Sequence, residues 1–388
     1  MIKTTVRELG KVITGHTPPT SKREYYGSQY LFLKPTDMII GQKYTYVTEE
    51  GYSALGAEKY RTSLIPKGST CVVCIGTLGE KMSMAHCDLF TNQSVNSIIP
   101  GDNYDQHYVY YLLKHNLHKV KALNKGTASG REFVSKTTFL DLEIDVIENL
   151  NSQKKIGEIL SAYDNLIENN QKQIKLLEEA AQRLYEEWFV DLRFPGYEDT
   201  AIVDGVPEGW ERKRLVDIAA VQYGYAFDGS LFNTVGKGTP IIRIRNIPSG
   251  NTNDYTSETA DIQYLIHNGE IVVGMDGEFH INSWSGNDAY LVQRSCCFKP
   301  YNPYMKGWLL WAIYEPIKFF EKTVVGATVS HLGKKHIDTI MLLTAPDQFY
   351  EPFTAIFEKR QTLLNQNRKL VEARDRLLPK LMSGEIEV

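Results

Sequence analysis

The sequence predicts an α+β fold of two similar mixed α/β domains, separated by an antiparallel two-helix coiled coil and related by a pseudo-twofold axis. Three observations predict it. Within 153–189, Leu160, Tyr163, Ile167, Asn170, Ile174, Leu177, Ala181, Leu184 and Trp188 fall at alternating spacings of three and four, a heptad seam with a single polar position. The seam recurs near the C-terminus. Sliding it by the distance from Asn170 to Asn367 brings Ile156 onto Phe353, Ile167 onto Leu364, Ile174 onto Val371, Ala181 onto Leu378 and Leu184 onto Leu381. Finally, the segments before the two seams repeat one plan, and long-period repeats decide architecture before any motif does.

In chain order the expected parts are a first domain over 1–147, a spacer helix over 148–191, a linker with the second domain over 192–345, and a second spacer helix over 346–388. In the first domain Tyr30-Leu31-Phe32-Leu33 and Thr70-Cys71-Val72-Val73-Cys74-Ile75 read as strands closed by Pro or Gly. Val109, Leu112, Leu113, Leu117 and Val120 recur at helical spacing, which predicts one short amphipathic helix on the sheet. The Pro- and Gly-rich strings Arg193-Phe194-Pro195-Gly196 and Gly205-Val206-Pro207-Glu208-Gly209-Trp210 mark the linker. In the second domain Ile266-His267-Asn268-Gly269 answers Ile65-Pro66-Lys67-Gly68, Val292-Gln293-Arg294 answers Asn92-Gln93-Ser94, and Gly326-Ala327-Thr328-Val329-Ser330 answers Gly126-Thr127-Ala128-Ser129.

The second domain lies between the two seams, so the helices pair most simply as an antiparallel rod of roughly 55 Å at ~1.5 Å per residue. Ile167, Asn170, Ile174, Leu184, Leu364, Asn367, Val371 and Leu381 are the expected pairing residues. The two asparagines would lower stability and fix register. Arg360 and Arg374 interrupt the second seam, either snorkelling to solvent or marking where another protein docks.

The 388 residues exceed one ordinary core. The expected setting is the cytoplasm: Met1 to Thr5 lead into no apolar signal region, and the greasiest patch, Trp308 to Tyr314, is too short for a bilayer. Five cysteines are an odd number for a disulfide framework. The net charge of −4 hides an uneven distribution. From 106 to 140 Glu132 is the one acid against Lys114, Lys119, Lys121, Lys125, Arg131 and Lys136; from 316 to 337 Glu321 is the one acid against Lys318, Lys322, Lys334 and Lys335. Glu158, Glu168, Glu178, Glu179, Glu186 and Glu187 make the first helix acidic. Two basic faces flanking an acidic rod are therefore expected.

Catalytic and metal readings fail on spacing. On a strand Cys71 and Cys74 point to opposite faces and could not share a zinc ion unless the segment is a knuckle, so a buried, reduced strand is expected. His331 and His336 have no partnered nucleophile in the sequence. Asn302-Pro303-Tyr304 lacks the second proline of a methyltransferase string and follows no glycine-rich loop, so it reads as a turn. Pro346-Asp347 with Glu358-Lys359 has the wrong spacing for a nuclease. The chain alone is expected to catalyse nothing and to bind no cofactor.

Several strings together resemble the specificity subunit of type I restriction–modification systems. They are Thr14-Gly15-His16-Thr17-Pro18-Pro19-Thr20, Glu24-Tyr25-Tyr26-Gly27, Leu33-Lys34-Pro35-Thr36-Asp37, Ile156-Gly157-Glu158-Ile159-Leu160-Ser161-Ala162 and Trp188-Phe189-Val190-Asp191. Val206-Pro207-Glu208-Gly209-Trp210-Glu211, Tyr223-Gly224-Tyr225-Ala226-Phe227 and Leu377-Leu378-Pro379-Lys380-Leu381-Met382-Ser383-Gly384-Glu385-Ile386 complete a set spanning nearly the whole chain. The resemblance implies a non-catalytic subunit with two target recognition domains, each reading one half of a split, asymmetric site in double-stranded DNA. It also implies helices that space the domains and dock two adenine-specific methyltransferase subunits, which bind S-adenosylmethionine and to which restriction subunits add. No membrane partner is implied.

Base reading needs side chains that reach base edges, while Lys and Arg on phosphates supply most of the affinity. The first-domain candidates are Lys34, Lys81, Asn92, Gln93, Lys125, Thr127, Ser129 and Arg131; the second-domain candidates are Arg243, Arg245, Asn246, Gln293, Arg294, Thr328, Ser330, His331, Lys334 and Lys335. The stretches 126–131 and 326–335 stand out, being Gly-led, basic and at matching places in the repeat. Arg243-x-Arg245 on a strand would put both guanidinium groups on one face, reading guanines or holding phosphates. The competing reading is a coiled-coil adaptor whose end domains bind protein or carbohydrate.

Overall fold

The computed structural model describes residues 1–124, 126, 130, 132–323 and 330–388. They form two compact units, Met1–Ile167 with Leu370–Val388, and Glu168–Lys369.

The first unit is built on an antiparallel sheet in the order Gly10–Thr14, Val95–Pro100, Thr70–Val73, Met82–Met84. The strand Thr70–Val73 is buried throughout, which explains its unbroken apolar run. Alternation still sorts its side chains: Cys71 and Val73 pack with Leu33 and Val95, whereas Val72 and Cys74 pack with Tyr108 and Phe139. The two thiols are free and belong to opposite faces, and burial raises Cys71 to about 12 and Cys74 to about 11. A smaller sheet, Gly51–Tyr52, Tyr26–Leu33, Leu89–Thr91, contains a parallel pair.

Where periodicity predicts one amphipathic helix, the structure has two helices, Gln106–His115 and Leu117–Ala122. Asp105 caps the first by accepting from the His107 and Tyr108 N–H groups. Tyr108 through Leu113 are all buried, so this helix is enclosed rather than one-sided. It stops at Asn116, whose side-chain amide donates to the Leu112 carbonyl at 2.8 Å.

The second unit repeats this plan, with a five-stranded mixed sheet where the first unit has three strands. Its antiparallel sheet runs Ala219–Tyr223, Ser295–Pro300, Ile271–Gly274, Ile281–Ser283, and its mixed sheet holds the parallel pair Thr239–Ile242 with Ala289–Leu291. Ile2–Thr5 pairs with Glu143–Val146 in the first unit as Glu211–Arg214 pairs with Met341–Thr344 in the second. Gly68 and Gly269 occupy one position, with φ of 88° and 84°. Their N–H groups donate to the carbonyls of Ala85 and Trp284 at 2.8 and 2.7 Å. A side chain would be strained at either place. The 193–210 stretch is not an open linker: Phe194 and Trp210 are buried with Phe189 and Phe349, and Ile202–Val203 pairs with Val206–Pro207.

The first long helix runs Leu150–Tyr185 and ends in a π turn, Glu186–Val190; the second runs Glu351–Met382. Within the first unit Ser152 meets Val388 and Asp164 meets Arg374, so the helix segments there run antiparallel. Within the second unit Asn170 donates to Asn367 at 2.9 Å and Arg360 reaches Glu178 at 2.7 Å, again antiparallel. Ile167, Asn170, Ile174 and Leu381 are buried, and Leu184, Leu364, Asn367 and Val371 are half-buried.

The two seam arginines neither snorkel nor stand open for a partner. Arg374, 3% exposed, donates to Asp164, which also accepts from the Tyr111 hydroxyl. Arg360, 8% exposed, donates to Glu178, to Ser283 Oγ at 2.7 Å and to Asn282 Oδ1 at 2.8 Å. Arg360 ties its helix to the domain of its own unit, whereas Arg374 ties its helix to the first long helix, whose Asp164 in turn holds Tyr111 of the domain. Both sites are charged because a buried guanidinium is tolerable only when paired and hydrogen-bonded.

Candidate nucleic-acid interface

Two parallel strands leave their sheet at the same end, so their following turns emerge side by side. In the first unit these are Tyr26–Leu33 and Leu89–Thr91, and the turns carry Lys34 and Asn92-Gln93. The Asn92 N–H donates to the Leu33 carbonyl at 3.4 Å. Lys81 joins them by donating to the Pro35 carbonyl at 2.8 Å. Gln93 is exposed and accepts from the Thr17 hydroxyl at 2.5 Å, which brings in the 16–20 loop. Four sequence candidates from three separate segments thus converge. Lys34 is partly committed within the chain, to Glu49 at 2.8 Å and Glu50 at 3.2 Å. Burial opposes its charge, but those hydrogen bonds leave its pKa above the ordinary lysine value.

The second unit reproduces the arrangement with different side chains. The Val292 N–H donates to the Ile242 carbonyl at 3.1 Å, so Arg243 leaves beside Gln293 and Arg294. Here the sequence expectation needs correcting: Arg243-x-Arg245 is not on a strand. The strand ends at Ile242, and Ile244–Asn246 is a 3₁₀ turn closed by the Arg243 N–H donating to Asn246 Oδ1 at 2.8 Å. The two guanidinium groups consequently diverge. Arg243 lies over the Phe232 ring at 5.4 Å, while Arg245 pairs with Asp254, which Asn246 also contacts at 3.1 Å. Burial alone would raise Asp254, yet Arg245 and Asn246 hold it below the usual carboxylate range.

Arg294 and His331 meet on Asp276: Arg294 Nη1 donates to Oδ2 at 2.6 Å and His331 Nδ1 lies against Oδ1. Ser330 supports the corner by accepting from the Gly277 N–H at 3.0 Å. Lys334 and Lys335 are exposed on the short helix Lys334–Ile337. His336 is structural, since it stacks on Phe320 and accepts from the Gly333 N–H at 3.1 Å.

Lys125, Thr127, Ser129, Arg131 and Thr328 lie outside the described residues. The expected basic face of the first domain is thinner than its lysine count. Lys114 Nζ is buried without a hydrogen-bond partner among the described residues, and desolvation lowers its pKa; Lys121 pairs with Glu80 at 3.1 Å. Lys136 remains exposed. Sequence reasoning missed Thr17, Asp254 and Asp276. Thr17 lay in the Thr14 to Thr20 string without being singled out, and Asp276 carried a local signal in the Asp-Gly turn dipeptide it forms with Gly277. Among the described residues no His, Cys, Asp and Glu cluster could hold a metal ion, and no helix is long and apolar enough to cross a membrane.

Residues 3–179 and 207–346 match the model of the type I restriction modification DNA specificity domain. The type I restriction enzyme MjaIX specificity subunit of Methanocaldococcus jannaschii is 27% identical, across 99% of this chain and 93% of that protein. The EcoBI specificity subunit of Escherichia coli is 30% identical over 42% of this chain and 34% of that protein. In fold, the crystal structure of the S subunit of a type I restriction–modification system from M. genitalium matches 98% of this chain and 96% of its own length, with a TM-score of 0.59 at 19% identity. The adaptor reading has no support among these relatives. Two matched stretches, each on one copy of the repeated domain, place the chain in the family of DNA specificity subunits of type I restriction–modification systems.

Proposed function

We infer that each domain reads one half of a bipartite, asymmetric DNA site, and that the helices set the number of unread base pairs between the halves. The observation that carries this is the repeated exit of polar turns from a parallel strand pair: Lys34, Asn92 and Gln93 in one domain, Arg243, Gln293 and Arg294 in the other. One scaffold with two sets of side chains suits two different short sequences. In this reading the helices also dock two methyltransferase subunits, and restriction subunits complete the complex. Adenine methylation, its S-adenosylmethionine and DNA cleavage belong to those partners, and this chain contributes recognition alone. The cytoplasm, where the chromosome is accessible, is its place of action.

A salt titration tests the reading. With the methyltransferase subunits present, log Kd for a duplex carrying the site should rise linearly with log salt, at roughly 0.9 per phosphate neutralised. A Kd insensitive to salt contradicts it.

A further inference from the structure

The Asp276 corner is a clip built for display. The carboxylate is sunk, with 12% of its side chain exposed, while the groups it holds face out, Arg294 at 70% and His331 at 57%. Arg294 is fixed at both ends of its side chain. Its backbone sits at φ 66°, in the left-handed region that a non-glycine residue occupies only when its surroundings impose it. The imposing contacts are the Met275 N–H donating to the Arg294 carbonyl and the Gln293 N–H donating to the Tyr225 carbonyl, both at 2.8 Å. At the other end Asp276 engages Nη1.

The first domain shows that the scaffold does not need the clip. There the Cys74 N–H donates to Ser94 O as Met275 does to Arg294, Val134 donates to Cys74 O as Leu332 does to Met275, and Gly76 donates to Glu132 O as Gly277 does to Ser330. The same bridge joins Ile75 to Phe133 as joins Asp276 to His331. Ile75, Ser94 and Phe133 thus stand where Asp276, Arg294 and His331 stand. The same set of backbone hydrogen bonds closes there without any ion pair, although Ser94, unlike Arg294, does not sit in the left-handed region. Losing the exposed Arg294 end of the pair still leaves the sunk Asp276 carboxylate its His331 partner.

We propose that Asp276 is a positioning residue that presents Arg294 to a guanine in the half-site read by the second domain, with His331 steadying the same carboxylate. Phosphate binding is the poorer assignment. It rewards net positive charge, and the clip cancels Arg294's charge with a carboxylate directly beneath it. What the clip supplies instead is direction: a planar guanidinium with lost freedom already spent, and donors beyond Nη1 left to meet the O6 and N7 acceptors of guanine in the major groove. Asp276 stays ionised beneath Arg294, because the His331 and Arg294 hydrogen bonds outweigh the effect of burial, which would raise its pKa, and hold it below the ordinary range. The first domain, with Ser94 at this position, has no such reader.

This proposal rests on the second domain's reading DNA, and the test separates the two. The full chain with its methyltransferase subunits selects from a library of duplexes randomised across both half-sites. The wild-type chain should fix a guanine at one position of one half-site. Arg294→Ser, which installs the residue the first domain carries there, should cut that preference roughly 10- to 100-fold, leave every other position fixed and leave the thermal midpoint unchanged. Arg294→Lys should fail at the same position, because a point charge cannot replace the fork. Asp276→Asn should weaken the same preference to a smaller extent. Undiminished guanine selection by Arg294→Ser, or an equal loss at all positions, overturns the proposal. A wild-type complex that selects no sequence overturns the DNA reading itself.

Discussion

Arg374 and Asp164 form the most deeply buried ion pair among those described, with 3% and 6% of their side chains exposed. A pair this dry is weak evidence for stability and strong evidence of vulnerability, since removing Asp164 leaves the buried Arg374 only Asp375 at 2.8 Å and takes the acceptor from the Tyr111 hydroxyl. Asp164→Leu should therefore cost about 3–5 kcal/mol, while Asp164→Leu with Arg374→Met should recover most of that loss. Urea unfolding of the single and double variants checks the difference. The sequence showed that Arg374 breaks an apolar seam but not why, because its buried partner Asp164 lies 210 residues away and is itself held by the Tyr111 hydroxyl. The same holds for Arg360, which meets Ser283 and Asn282. A charge on a seam is visible in one dimension; the acceptor that explains it is a tertiary fact. Asp276 and Asp254 were missed for the same reason.

At the scale of elements the long helices were legible because a heptad is a local, repeated signal that survives for many turns. Even the polar positions were readable: Asn170 and Asn367 meet at 2.9 Å. Asn170→Leu alone should cost about 1–3 kcal/mol, by removing the hydrogen bond that Asn170 donates to Asn367 Oδ1 within the seam. The Asn170→Leu, Asn367→Leu double variant should be neutral or more stable in thermal unfolding, at the expense of register. Ends and breaks were less legible. The apolar period runs through Asn116 although the helix does not, since a side-chain amide competing for the Leu112 carbonyl leaves no trace in hydrophobic spacing. Likewise the Ile242 strand stops one residue before the first arginine of Arg243-x-Arg245, because Asn246 folds back onto the Arg243 N–H. Alternation would have continued there.

For the whole molecule, the consequential feature is a domain used twice with its scaffold kept and its display changed. The repeat was readable from strings as short as Ile65-Pro66-Lys67-Gly68 and Ile266-His267-Asn268-Gly269, because positive-φ glycines and tight turns leave conservative marks. Which turns emerge together was not readable, since it depends on one parallel strand pair in each domain. If the domains read independently and the helices count the gap, shortening the helices must change the gap and nothing else. Removing one heptad from each long helix, around Asn170 and around Asn367, and mapping methylated adenines in cells carrying the variant with its methyltransferase tests this directly. Two unaltered half-sites separated by fewer unread base pairs are expected; an unchanged gap, or altered half-sites, would contradict it.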